Sequence, residues 1–165
     1  MRDAVLTGAL LCGALAIPLG FTPLGTRLWS ISALVATALA ANVAAMHAQI
    51  RPDWADALFL NSWISVIASA LSVYLPRPVG LVAALVLSIN AGIWCGAASA
   101  LAGSPLGVLQ SLPAVAALWP VGWAASRNAT LAIKVIGSWL IAMAALSAML
   151  QFLPVIPGYL PDHLE

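Results

Sequence analysis

Six apolar runs follow one another along the chain with almost nothing between them, and this decides most of what the chain can fold into. They cover roughly 4–20, 28–49, 55–75, 79–102, 106–124 and 130–153. A helix that crosses a hydrocarbon layer needs about 20 mostly apolar residues. Each run is long enough, or nearly so. Pro and Gly punctuate the gaps: Pro23 and Gly25, the pair Pro76 and Pro78 around Arg77, Gly103 before Pro105, and Pro157 before Gly158. The runs are joined by short loops, so consecutive helices are expected to be antiparallel neighbours. No linker is long enough to hold a separate domain. The expectation is an all-α, polytopic transmembrane bundle of about six spanning helices, forming one integral membrane domain over residues 1–165.

Composition agrees with this. Only 7% of the 165 residues are charged and 63% are hydrophobic, whereas a soluble domain carries about 25% charged residues. A chain this apolar cannot cover a surface that faces water, but it can face lipid. Six basic and five acidic side chains nearly cancel, which leaves no basic patch for nucleic acid. The first run imitates a secretory signal, with Ala14, Leu15 and Ala16 as a cleavage box. Its leading segment has no net side-chain charge, however, so a retained helix is expected.

Charge placement suggests an orientation. With six spans, the N-terminal side also holds the loop near Arg51, Asp53 and Asp56, and the tail with Asp162, His163 and Glu165. The opposite side holds Arg27, Arg77, Arg127 and Lys134 and no acid. Lys and Arg in short loops favour the cytoplasmic face, and four against two places both termini on the non-cytoplasmic side of a cell (inner) membrane. Lys134 is expected to reach back to that basic face.

Polar groups inside the runs are the candidates for a site, because each is costly in lipid without a partner. Ser62, Ser65, Ser69 and Ser72 are spaced to share one helix stripe. That stripe serves either as a packing seam or as the polar lining of a path. Asn42 and Asn90 are expected to hydrogen-bond between helices, with lining a cavity as the alternative. Gly92, Gly96 and Ala100 form a close-contact series. Pro113 and Pro120 interrupt the fifth run just after Gln110 and Ser111, which predicts a kinked or broken helix. Cys12 and Cys95 read as small buried apolar residues.

His47, Asp53, Asp56, Asp162 and His163 gather on the side of the termini as a candidate outer rim. Their residue types suit divalent metals, but no spacing among them is diagnostic, so no metal and no cofactor is assigned. Trp29, Trp54, Trp119 and Trp123 belong near helix ends, where aromatic belts form, while Trp63, Trp94 and Trp139 are expected to face other helices. The Ser-Trp pairs at 62–63 and 138–139 resemble an inverted repeat only as far as chance allows.

No nucleophile–base pair, acidic dyad or metal set is legible, so no enzyme activity is expected and no catalytic residue is assigned. The reading that demands least is a structural or accessory subunit of a membrane assembly. Its partners would be the lipid bilayer and either further copies of this chain or another membrane subunit. The alternative is an oligomeric channel or facilitator for a small solute or ion.

Overall fold

A computed structural model of the chain describes residues 4–48, 54–75, 79–101, 107–127 and 129–150. Helix α1 runs Ala4–Leu19, α2 Leu24–His47, α3 Ala55–Leu71 with a 3-10 turn over Ser72–Tyr74, and α4 Leu81–Leu101. A short α5, Gly107–Ser111, passes through a 3-10 segment at Leu112–Ala117 into α6, Leu118–Ser126. The last helix, α7, is Thr130–Leu150. The described residues contain no strand. In lipid every backbone N–H and C=O must be satisfied within its own segment, which leaves an apolar run of this length little choice but helix.

The expected bundle of about six helices is present, but its members are of two kinds. Five segments are long and apolar enough to cross a membrane: Leu24–His47, Ala55–Tyr74, Leu81–Leu101, Gly107–Ser126 and Thr130–Leu150. The remaining helix, α1, has 16 residues and at about 1.5 Å per residue falls short of a full hydrocarbon thickness. It lies at the centre. It packs against α3, α4, α5, the 3-10 segment and α6. Leu11, Cys12, Ala14, Leu15, Ala16, Ile17 and Leu19 are all buried. A helix that is apolar around its whole circumference is one that neighbours enclose on every side, and α1 has that sequence.

The outer helices bury narrow stripes. In α2 the buried residues are Ser30, Leu34, Ala38 and Asn42, one every fourth position. In α7 they are Ile133, Gly137, Leu140 and Ala144. The α2 ridge lies along α4 in the most extensive contact of the bundle. Two glycines of α4 make this approach available. A Cβ on Gly92 would collide with Thr37 Oγ1 and sit 2.7 Å from Leu34 O. One on Gly96 would collide with Ala38 O and sit 2.8 Å from the Asn42 backbone N. The close-contact series read from the sequence is therefore the α2–α4 seam, where packing rather than water exclusion supplies the attraction.

The fifth run does break as expected. The α-helix gives way to 3-10 geometry at Leu112, and Pro113 occupies the first turn of that segment. Proline has no N–H and clashes with the carbonyl four residues back, so the α-helical ladder is interrupted there. At Pro120, the third residue of α6, the helix continues to Ser126.

The turn after α1 is held by a side chain. Arg27 donates from Nε to Thr22 O (2.8 Å) and from Nη2 to Gly20 O (2.7 Å), while Thr22 Oγ1 donates to Leu19 O (2.8 Å). The last carbonyls of a helix have no intrahelical partner and carry the negative end of its dipole. Backbone N–H groups of Gly20, Phe21 and Thr22 take the carbonyls of Ala16, Pro18 and Leu19, and the Arg27 guanidinium takes the carbonyls of Gly20 and Thr22 that follow, placing its positive charge at this end of α1. On its far side it faces Gly122, where a Cβ would lie 3.0 Å from Nη1.

Candidate functional site

The polar side chains of the interior converge on the helix faces that surround α1 and α4. On α3, Ser62, Ser65 and Ser69 are buried, and Ser72 is half-buried at the start of the 3-10 turn. The stripe therefore points into the protein. Ser62 Oγ donates to Phe59 O (2.6 Å) and Ser72 Oγ to Ser69 O (2.6 Å), each one turn back along its own helix. Such bonds are how a hydroxyl satisfies itself in a helix without an external partner. Ser65 looks outward from its helix instead. Its Oγ accepts a hydrogen bond from Asn90 Nδ2 (2.6 Å), and Asn90 Oδ1 accepts one from Trp94 Nε1 (3.0 Å). This three-residue chain joins α3 to α4 and gives the Trp94 indole a partner.

Asn42 makes the corresponding bond on the other side of α4, from Nδ2 to Gly96 O (3.3 Å). Both asparagines thus bond between helices, and Gly96 serves twice, as the gap that admits α2 and as the acceptor. Ser69 and Ser30, both wholly buried, have hydroxyl oxygens with no hydrogen-bond partner.

A further cluster was not legible in the sequence as a cluster. Cys12 of α1 and Cys95 of α4 are both free and buried. Cys95 Sγ lies 3.3 Å from Ser111 Oγ, which in turn donates to Val108 O (2.8 Å). Gly8, one turn before Cys12 on the same face of α1, has room for no side chain: a Cβ there would lie 2.9 Å from Ser111 Cβ and 3.2 Å from Cys95 Sγ. Burial of the two cysteines follows from their apolar surroundings in sequence. The meeting of Cys95 with Ser111 and Gly8 depends on how α1, α4 and α5 are rotated, and no spacing rule carries that.

Of the candidate rim, Asp53, Asp162 and His163 lie outside the described residues. His47 is exposed at the end of α2 and donates from Nδ1 to Val43 O (2.8 Å). Asp56 is exposed in the first turn of α3, where a negative charge suits the helix N-terminus. Among the described residues no group of three His, Cys, Asp or Glu side chains is placed to hold a metal ion.

The tryptophans divide differently from the expectation. Trp63 is buried and Trp94 half-buried, but Trp139 is exposed alongside Trp29, Trp54, Trp119 and Trp123. Trp139 lies midway along α7 and faces outward, because Gly137 and Leu140 take the inner face of that helix. The two Ser-Trp pairs consequently have opposite surroundings: Ser62 and Trp63 are buried, Ser138 and Trp139 exposed. This supports chance as the origin of their likeness. Arg127 stacks over the Trp123 ring, 4.9 Å from its centroid.

The chain matches no protein-family model, and comparison with curated proteins and with solved structures yields no match either. The chain is a membrane-type bundle of apolar helices, five of them long enough to cross a membrane.

Proposed function

We propose that the chain is a structural or accessory subunit of a membrane assembly, without catalytic chemistry of its own, seated in the cell (inner) membrane with both termini on the non-cytoplasmic side. The observation that carries this reading is the fate of the interior polar groups. Ser65, Asn90 and Trp94 satisfy one another, Asn42 is spent on a neighbouring backbone, and Ser62 and Ser72 bond within their own helix. A polar lining for a water-filled path would leave such groups exposed; here Ser65, Asn90 and Asn42 join helices, and Ser62 and Ser72 are satisfied along α3. The peripheral placement of α2 adds support. It leans mainly on α4 and leaves Leu28, Leu39, Val43 and Met46 on its outer faces, available to lipid or to another helix.

A channel or facilitator built from several copies is the second reading. The orphan hydroxyls of Ser69 and Ser30 favour it, since a buried hydroxyl without a partner costs about 1–3 kcal/mol and a passing solute would supply one. One pair of measurements separates the two. The protein is extracted from its native membrane directly into nanodiscs for mass determination, and purified protein is reconstituted into liposomes loaded with urea, glycerol or potassium ions. An accessory subunit is expected to travel in a larger assembly of fixed stoichiometry and to leave liposome permeability at the protein-free level. A particle containing only this chain, with solute release that Ser69→Leu abolishes, would establish the channel instead.

A further inference from the structure

The end of the bundle where α6 turns into α7 gathers charge of one sign. The Arg27 guanidinium is bonded there to two neutral carbonyls, which leave its charge uncancelled, and its Nη1 faces Gly122 of α6. The next residue, Trp123, is exposed, and Arg127 lies over its ring, 4.9 Å from the centroid. Arg127 opens the turn to α7, which bonds from Arg127 N to Trp123 O (3.1 Å) and from Ala129 N to Ala124 O (3.0 Å) hold. Lys134 follows on α7, exposed, and its backbone carbonyl accepts the Tyr74 hydroxyl (2.7 Å). Side chains tilt toward the N-terminus of their helix, so that of Lys134 is directed back toward the turn that holds Arg127. No acid occurs between Asp56 and Asp162. Asp56, the only acid among the described residues, stands in the first turn of α3, at the opposite end of that segment from Tyr74.

We propose that this end of the bundle binds the headgroup of an anionic phospholipid, with its phosphate held between Arg127 and Lys134 and Arg27 adding charge behind them. A guanidinium carries its five N–H donors in one plane. Stacked by its face on Trp123, Arg127 keeps those donors free at its edge, in the forked arrangement that suits a phosphate. The stack also fixes the side chain before the lipid arrives, which lowers the cost of ordering it. Lys134 supplies a point charge on a flexible stem. The surroundings favour a lipid over a soluble phosphate. Exposed tryptophans such as Trp119 and Trp123 take their place at the headgroup level. Leu131 and Ile141 share the helix face of Lys134 and offer acyl chains an apolar surface beside the cations. The site depends on neither reading above, since an accessory subunit and a channel would carry it equally well.

The test titrates the full chain, in a non-ionic detergent, with phosphatidylglycerol or with phosphatidylcholine of the same acyl chains, and counts bound lipid by native mass spectrometry. A cation near an anionic lipid contributes about fivefold in affinity. Phosphatidylglycerol is therefore expected to bind as one molecule per chain, about 25-fold more tightly than phosphatidylcholine. Arg127→Gln and Lys134→Gln should each weaken phosphatidylglycerol about fivefold and leave phosphatidylcholine unchanged. Arg127→Lys, which keeps the charge and loses the fork, should fall between Arg127→Gln and the wild type. Both side chains are exposed, and Lys134 meets Tyr74 through its backbone, so these variants are expected to keep their helical content; should one lose it, the other and the wild-type comparison decide. Equal affinity for the two lipids would overturn the proposal, as would a preference for phosphatidylglycerol that survives both Gln substitutions. Displacement of phosphatidylglycerol by an equal concentration of inorganic phosphate would also overturn it, by assigning the site to the soluble anion.

Discussion

Gly96 shows how much one missing side chain can carry. Its Cα face receives the backbone of α2, and its carbonyl receives the Asn42 amide. Overpacking a close-packed contact costs about 1–3 kcal/mol even where neighbours have some freedom, and the atoms nearest to Gly96 are mostly backbone, which has little. Gly96→Leu is therefore expected to destabilise the fold by about 3 kcal/mol and to separate α2 from α4. Chemical unfolding in detergent reads the first effect, and a cysteine cross-link placed across the seam reads the second. Unchanged stability would mean that the seam closes in some other way. The importance of this glycine was visible in the sequence, since Gly92 and Gly96 stand one turn apart in an apolar run. Its partner was not, because every run is rich in Ala and Ser and any of them would fit against it. The same limit applies to Cys95 and Ser111: each lies in an apolar run, and neither carries any mark of the other.

At the scale of the element, α1 and the fifth run depart most from a uniform set of spanning helices. The reason lies in local chemistry. Pro113 removes a backbone donor in mid-run and turns one helix into two with a 3-10 segment between them. The end of α1 is closed by a side chain from the start of α2, the Arg27 guanidinium, through bonds of 2.8 and 2.7 Å. Hydrogen bonds to a charged group are worth about 1.5–3 kcal/mol, and the helix dipole adds to them. Arg27→Gln is accordingly expected to cost about 2 kcal/mol. The loss should appear first as faster hydrogen exchange at the amides of Gly20 to Thr22, whereas Arg27→Lys should recover only part of it, since an ammonium lacks the forked geometry. Exchange at those amides unaltered in Arg27→Gln would show that the turn is held by packing against α6 alone. In the sequence Arg27 reads as a loop charge that sets orientation. Its second task, as a cap, depends on the fold of the Phe21–Gly25 turn and is not expressed in any pattern of residues.

At the scale of the whole molecule, the central placement of a short helix has a consequence for topology. An enclosed α1 is surrounded by protein rather than by lipid, and its 16 residues need not match the bilayer thickness. The charge-segregated arrangement has both termini on one side. Reporters active only outside the cytoplasm, fused in turn to each terminus in a bacterial host, are expected to be active at both ends. Activity at only one end would mean an odd number of crossings and would remove the basis for a rim that unites His47, Asp56 and the tail. What the sequence determined without help is the apolar, all-helical class and a bundle of about six helices, because apolar length and the positions of Pro and Gly decide these locally. What only the tertiary structure decided is which face of each helix turns inward. In water, hydrophobicity marks that face. In lipid it does not: large apolar side chains such as Leu39, Val86, Ile136 and Trp139 point outward, while Ala, Gly and Ser share the interior with Leu11, Leu15 and Leu34. Inside and outside are equally apolar, and the choice between them rests on close packing and on a few hydrogen bonds between residues far apart in the chain.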